Sequence, residues 1–385
     1  MAPTMTPIPA TVLFSYADQQ IRRSARVLWP GSQIDLGTHV PSVTGYVRTI
    51  HLDGTPLFAK YSLLGLSLVS VLRGTCGSWT AVQQAQDAYV SSPHALLARE
   101  AGQLRLLRRA GLKTPHVTGL DGGVLFTMPV AGPTLGDLVA KEPERTEALI
   151  TGVLRILRES LRRINTSEAE AVAIGERSIP ATFTRKFNRL SGAAYLRQAG
   201  PHCSVLTAIV GRLQRMRMAP VPGARPLVYG DLKPEHVVYV NGPDCAPVFL
   251  DPGMRRGRPQ ADHAKLLSRL ILSLFENPPV PAAVHAITTG LSAAAEHAVA
   301  GLGKTERSAW LRELVLLWLM DTVNIVSTYL TCPVVLPLPP QAVTITERAA
   351  ALLGLLDAVS TDLATRDPRT VWSLALSRLS QGVAP

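Results

Sequence analysis

The 385-residue chain is 46% hydrophobic, 17% charged and 5% aromatic, enough apolar material for one large domain or two lobes, which excludes a disordered chain. Its formal net charge of +11 attracts anions such as nucleotides or acidic peptides and works against polycationic ligands. No basic run is interleaved with aromatics and no nucleic-acid-binding signature occurs, so nucleic acid is not an expected partner.

The opening MAPTMTPIPA has neither the basic start nor the apolar run of a secretory signal. The most apolar stretch, residues 311–330, carries Arg312, Glu313, Asp321 and Asn324, which predicts a buried helix rather than a membrane span. A cytoplasmic protein without a membrane partner is therefore expected. Cys76, Cys203, Cys245 and Cys332 form no CxxC pair, which argues against a disulfide framework or zinc site and predicts free, mostly buried thiols.

Residues 43–61 alternate as strands and break at Asp53-Gly54, a hairpin signal. An apolar insertion at 62–79, read most simply as a buried helix, precedes a helical segment over 81–111 stopped by Gly111. TPHVTGL and GVLFTMP flank Asp121-Gly122-Gly123 and read as a second hairpin. After a connector at 129–133, Thr134 is placed to cap a helix, and an amphipathic helix follows over 147–164. The Pro-rich APVPGARP ends this helical block. Three short strands, LVY, HVVYV and APVFL, come next, and the chain beyond Asp251 reads as helices, with TCPVVLPLPPQ joining two of them. A β-rich first third followed by helices predicts an α+β fold of two lobes, residues 1–129 and 130–385.

The chemistry concentrates between Tyr229 and Asp251. HVVYV runs out to Asn241-Gly242-Pro243-Asp244 and APVFL runs back, a hairpin that returns Asp251 to the end holding Asp231 and His236. Phosphoryl transfer needs one group to orient an attacking hydroxyl and another to hold the ion that neutralises phosphate oxygens. Asp231 suits the first task and Asp251 the second, while Lys233 can reach the phosphoryl group.

GDLKPEHV resembles the catalytic loop of the protein-kinase-like superfamily, above all of its aminoglycoside and choline kinases, and DPG resembles that family's metal-binding DFG. The resemblance implies ATP and Mg²⁺ as cofactors, a small β-rich nucleotide lobe and a larger helical lobe. It implies Lys60 as the phosphate-contacting strand lysine, Glu100 as its helix partner, Met128 at the adenine, and the backbone near Gly45 as a phosphate cradle that lacks GxGxxG. Asp262 resembles the acid that begins the next helix and ties down the catalytic loop.

Two features depart from the family pattern. The HRD histidine and arginine are missing, and His236 stands where the family usually has Asn. Because Mg²⁺ prefers hard oxygen ligands, His236 is read either as a metal ligand or as a group that orients Asp231 or substrate. No Ser, Thr or Tyr lies between Asp251 and Ser268, which leaves no activation-loop phosphorylation site.

Arg255, Arg256 and Arg258 read as a basic patch on the acceptor side and point away from aminoglycosides, toward an anionic or peptide acceptor. The whole chain is similar to kinase-like proteins of class V lanthionine synthetases, which implies phosphorylation of Ser or Thr in an acidic-leader precursor peptide, with a partner protein of the same pathway. An antibiotic or sugar hydroxyl is the enzymatic alternative, and a pseudokinase binding nucleotide or peptide is the non-enzymatic one.

Overall fold

The computed structural model describes residues 8–74, 76–216, 218 and 225–382. MAPTMTPIPA and the Pro-rich APVPGARP therefore lie largely outside the described residues. The chain forms two compact units, the first comprising Met1–Arg109, Thr114–Val130 and Cys332–Pro340. The second comprises Ala110–Lys113, Ala131–Thr331 and Gln341–Pro385. A small antiparallel sheet dominates the first and helices the second, which is the expected α+β architecture.

The first unit is a five-stranded sheet in the order β1-β2-β3-β5-β4, built from β1 Ile34–Val40, β2 Tyr46–Leu52, β3 Thr55–Tyr61, β4 Val117–Asp121 and β5 Val124–Thr127. Period-two patterning sets its buried face: Tyr46 and Ile50 from β2 and Leu57, Ala59 and Tyr61 from β3. Asp53 and Gly54 both have positive φ, as a two-residue turn between right-twisted strands requires. Helix α1, Ala10–Leu28, was not foreseen; Leu13, Ala17, Ile21 and Ala25 line one face of it and join the sheet core.

The insertion contains a short helix, α2 Leu68–Leu72, capped by Ser67 and burying Leu68, Val69, Val71 and Leu72. The predicted single helix over 81–111 is two, α3 Trp79–Val90 and α4 Leu96–Arg109. Ser91, Ser92 and Pro93 separate them, since proline cannot donate to a continuing helix. The Pro-rich run after residue 331 joins two helices as expected, but it also belongs to the first unit, where Leu336 is 2% exposed within the core.

The second unit holds α5 Leu135–Lys141, α6 Thr146–Leu161, α7 Thr166–Ala171, α8 Ile179–Lys186, α9 Arg189–Arg197, α10 Cys203–Arg215 and α11 Ala261–Glu276. It continues through α12 Pro281–Ala298, α13 Lys304–Leu330, α14 Pro340–Glu347, α15 Ala349–Thr365 and α16 Pro368–Gly382. Thr134 caps α5 in a capping box with Asp137. Helix α13 is the core helix: 83% of its most apolar window is buried, and Glu313 and Asp321 are buried with it.

Between α10 and α11 lie two miniature sheets, β6 Leu227–Val228 with β9 Arg255–Arg256, and β7 Val237–Val238 with β8 Val248–Phe249. The foreseen hairpin forms but is short, and backbone outside it takes N–H groups at its end: Tyr239, just past β7, donates to Pro133 O, and Phe249 of β8 donates to Lys113 O. The four cysteines form no disulfide and none is fully buried, Cys245 being exposed, which corrects the expected mostly buried thiols.

Candidate active site

The loop 229–236 is fixed by its backbone. Gly230 has φ +88°, and a Cβ there would fall inside contact distance of Gly253 O and Arg255 Nη1, so only glycine lets the loop lie against the segment after Asp251. Gly253 N donates to Tyr229 O at 3.0 Å, and Tyr229 Oη donates to Leu250 O at 2.6 Å. Asp262, in the first turn of α11, accepts Gly230 N–H at 2.7 Å and Tyr229 N–H at 2.9 Å. Burial raises the Asp262 pKa despite these two donors.

On this frame Asp231 meets two ammonium groups, Lys233 Nζ at 3.0 Å and Lys265 Nζ at 3.6 Å. Lys265, from α11, also donates to Asp321 of α13 at 2.6 Å. Burial pushes the Asp231 carboxyl pKa up, but the charges of Lys233 and Lys265 outweigh it and hold the group well below the usual carboxylate range. Asp231 is thus an anion throughout the neutral range.

His236 Nδ1 lies 3.1 Å from Asp231 O, and since a carbonyl only accepts, Nδ1 carries the proton. Burial, then the Lys233 charge, lowers the His236 pKa, which favours the neutral ring. Its Nε2 faces Asp251 Oδ2 at 3.7 Å. Asp251 has φ +52°, a left-handed conformation that is uncommon outside glycine.

Asp231, Lys233, His236 and Asp251 therefore share one end of the short hairpin, as the sequence predicted. The donor set only half fits Mg²⁺. Asp251 offers the hard oxygen that Mg²⁺ takes, whereas His236 offers an imidazole nitrogen that it takes poorly. Among the described residues no cluster of three or more His, Cys, Asp or Glu is placed to hold a metal ion unaided.

In the sheet unit, Lys60 on β3 donates to Glu100 Oε1 of α4 at 2.9 Å, across a separation of 40 positions in sequence. Gly45 ends the turn between β1 and β2, where the N–H groups of Thr44 and Gly45 point at Ser42 Oγ, 3.2 and 3.5 Å away. Met128 follows β5; its N–H goes to His116 O at 2.9 Å and its side chain is 36% exposed, so it is not a core residue.

The acceptor-side basic patch does not form. Arg255 is buried and donates to Gly253 O at 2.9 Å. Arg256 is held by Glu170 Oε1, Arg225 O and Thr166 Oγ1, and Arg258 pairs with buried Glu313 at 2.6 Å. Each guanidinium is thus engaged within the unit: Arg255 by a carbonyl two residues away, Arg258 by a buried carboxylate, and Arg256 by a surface carboxylate remote in sequence. Lys265 and Asp321 were missed: each sits in an apolar helical pattern, and an ionisable residue on a buried helix face was the available signal.

No family model matches the chain, and no curated protein matches it. Among solved structures it is similar to a Plasmodium vivax ethanolamine kinase, with 11% identity, TM-score 0.49, and 91% of this chain and 90% of that one covered. It is similar also to choline kinase LicA from Streptococcus pneumoniae, with 13% identity, TM-score 0.46, and 88% and 99% covered. An aminoglycoside-3'-phosphotransferase of type VIII aligns with 20% identity, TM-score 0.44, and 79% and 99% covered.

Proposed function

We propose that the chain is an O-phosphotransferase that moves the γ-phosphoryl group of ATP to the hydroxyl of a small molecule. The observation that carries this reading is the convergence of an anionic Asp231, Lys233 3.0 Å away, and Asp251 on one short hairpin end. In the proposed step the acceptor oxygen attacks the γ-phosphorus, the bond from that phosphorus to the β–γ bridging oxygen breaks, and ADP leaves. The hydroxyl proton passes to the Asp231 carboxylate. A carboxylate of such low basicity orients the hydroxyl and takes the proton late, which suits a loose phosphoryl transition state. The Lys233 ammonium neutralises charge on the transferring oxygens. Lys60, set by Glu100, is assigned to the nucleotide phosphates, with Gly45 and Met128 as further nucleotide contacts.

The peptide acceptor loses its charge argument, because Arg255, Arg256 and Arg258 are committed to internal partners. A small hydroxyl compound is therefore the favoured acceptor. The test is intact-mass detection of one added phosphoryl group after incubation with ATP, offering small hydroxyl compounds beside a Ser- and Thr-bearing acidic peptide. Transfer to a small compound, lowered about 10²–10⁴-fold by Asp231→Asn, is expected. Transfer to the peptide alone would overturn the acceptor class, and undiminished transfer by Asp231→Asn would overturn the role of Asp231.

A further inference from the structure

We propose that the helical unit carries a second ligand site, an arginine-lined cavity that binds a small organic phosphate and lies across α13 from the Lys265–Asp321 pair. The site does not depend on the phosphotransferase reading.

The end of α10, the first half of α13, the end of α15 and the start of α16 enclose about 720 Å³, a volume typical of small-molecule sites. Arg212 and Arg215 reach it from α10, Arg312 from α13 and Arg366 from the turn before α16. Leu363 and Pro368 add an apolar wall, and none of the described residues lining the cavity is acidic. On α13, Arg312 precedes Asp321 by about two and a half turns, which sets the two on opposite sides of the helix and roughly 13 Å apart along it. Asp321 holds Lys265, and Lys265 reaches Asp231, so the cavity is separate from the candidate active site.

Nearby acids leave the wall positive. Asp357 is taken by Arg212, whose Nε also donates to Ser360 Oγ at 3.0 Å. Asp362 is shared by Arg366, at 2.8 Å, and Arg378. Asp367 accepts the backbone N–H groups of Arg369 and Thr370 at the start of α16. Arg215 is exposed and makes no hydrogen bond or ion pair with any described residue. Helix ends do not close the gap: α10 and α15 each bring about half a negative charge at their C-termini, and α16 about half a positive one at its N-terminus. Guanidinium groups stay charged at every working pH, so the surplus attracts an anion. A carboxylate brings one charge and two oxygens, which a single guanidinium fork fills. A phosphate monoester brings about two charges and three acceptor oxygens, enough for forks arriving from separate helices. Leu363 and Pro368 give its carbon skeleton a surface to lie on.

The experiment titrates the full chain by calorimetry with fructose 1,6-bisphosphate and glycerol 3-phosphate, with citrate as the carboxylate comparison, each with and without an excess of a non-hydrolysable ATP analogue. The expected result is phosphate-compound binding that survives the analogue, is unchanged in Asp231→Asn, and weakens about tenfold or more in Arg215→Glu and in Arg366→Gln. Failure of both phosphate compounds to bind, their displacement by the analogue, or equal binding by the wild type and both arginine variants would each overturn the site. Citrate binding more tightly than either phosphate compound would overturn the ligand class. Arg215 and Arg366 sit at the mouth of the cavity, Arg366 with a side chain 54% exposed, so one variant decides the location if the other does not fold.

Discussion

The two units hold their candidate-site charges differently. In the sheet unit Lys60 of a strand pairs with Glu100 of a helix at 2.9 Å. In the helical unit Asp231 lies beside Lys233 and Lys265, Lys265 is shared with Asp321, and Asp262 clamps the same loop through its backbone. A pair fixes one side chain. A network fixes a backbone and a protonation state together, and it makes each member costly to remove alone.

The sharpest contrast is between two glycines. At Gly230, alanine must adopt positive φ and meet the backbone of Gly253, so Gly230→Ala should cost about 3–6 kcal/mol from strain and overpacking combined. Gly45 has ordinary space, the nearest atom to an added Cβ being Tyr61 O at 3.8 Å, and Gly45→Ala should stay within about 0.5 kcal/mol. Urea unfolding of both variants checks the difference. Equal losses would mean that the helical unit's loop is no more constrained than the sheet unit's turn.

Next in size is the Lys265–Asp321 pair. Asp321 is 2% exposed and its Oδ2 has no hydrogen-bond partner, so the pair is already imperfectly satisfied. Asp321→Leu strands a buried ammonium, which usually costs about 3–5 kcal/mol. The low end, about 3, is expected because Asp231 remains 3.6 Å from Lys265. The double variant Asp321→Leu with Lys265→Met should recover most of that loss. Strict additivity in a double-mutant cycle would show that the pair is not coupled.

How far these charges could be read from sequence depends on distance along the chain. Asp231, His236 and Asp251 were legible because a local turn signal, Asn241-Gly242, brings them together. Lys265 and Asp321 were not, because 56 residues separate them and each looks like a lone charge on an apolar helix. The same blindness produced the false basic patch: Arg256 finds Glu170 86 residues upstream, and nothing near Arg256 announces it. Hairpins and caps are local and were read correctly, down to Thr134 as the cap of α5, although its partner Asp137 was not foreseen. Helix α1 was missed although Leu13, Ala17, Ile21 and Ala25 carry its apolar stripe, since polar residues between them dilute the pattern.

A third prediction tests whether the helical unit's buried polar groups govern its pH response. His263 of α11 packs edge-on to Trp310, with Nδ1 buried and unpartnered. Burial, then the Arg158 charge, lowers its pKa to about 4. Since the unfolded value is about 6.5, the unfolded chain binds the proton first. Stability is therefore retained above pH 6.5 and lost as pH falls toward 4, by at most roughly 3 kcal/mol for a shift of this size. His263→Phe keeps the ring contact and should flatten that part of the stability profile. An unchanged slope between pH 4 and 6.5 would assign the acid sensitivity elsewhere.

The smallest effect belongs to the sheet unit and returns to its Lys60–Glu100 pair. Lys60→Met removes the ammonium from Glu100, whose side chain is 9% exposed, and should cost about 1–3 kcal/mol at pH 7. A carboxylate whose main cation is gone has an escape: it can take up a proton. The deficit should therefore shrink as pH falls toward 4, and Glu100→Gln combined with Lys60→Met should reproduce that recovery at pH 7. Asp231 has less such freedom, because two ammonium groups hold its pKa down and losing one leaves the other. Lys60→Met should also weaken the rise in melting temperature produced by a non-hydrolysable ATP analogue, since bound ligand stabilises by mass action. A Lys60→Met protein that loses stability but keeps the full analogue-induced rise would make the pair structural only, and the nucleotide role would have to pass to another residue of the sheet unit.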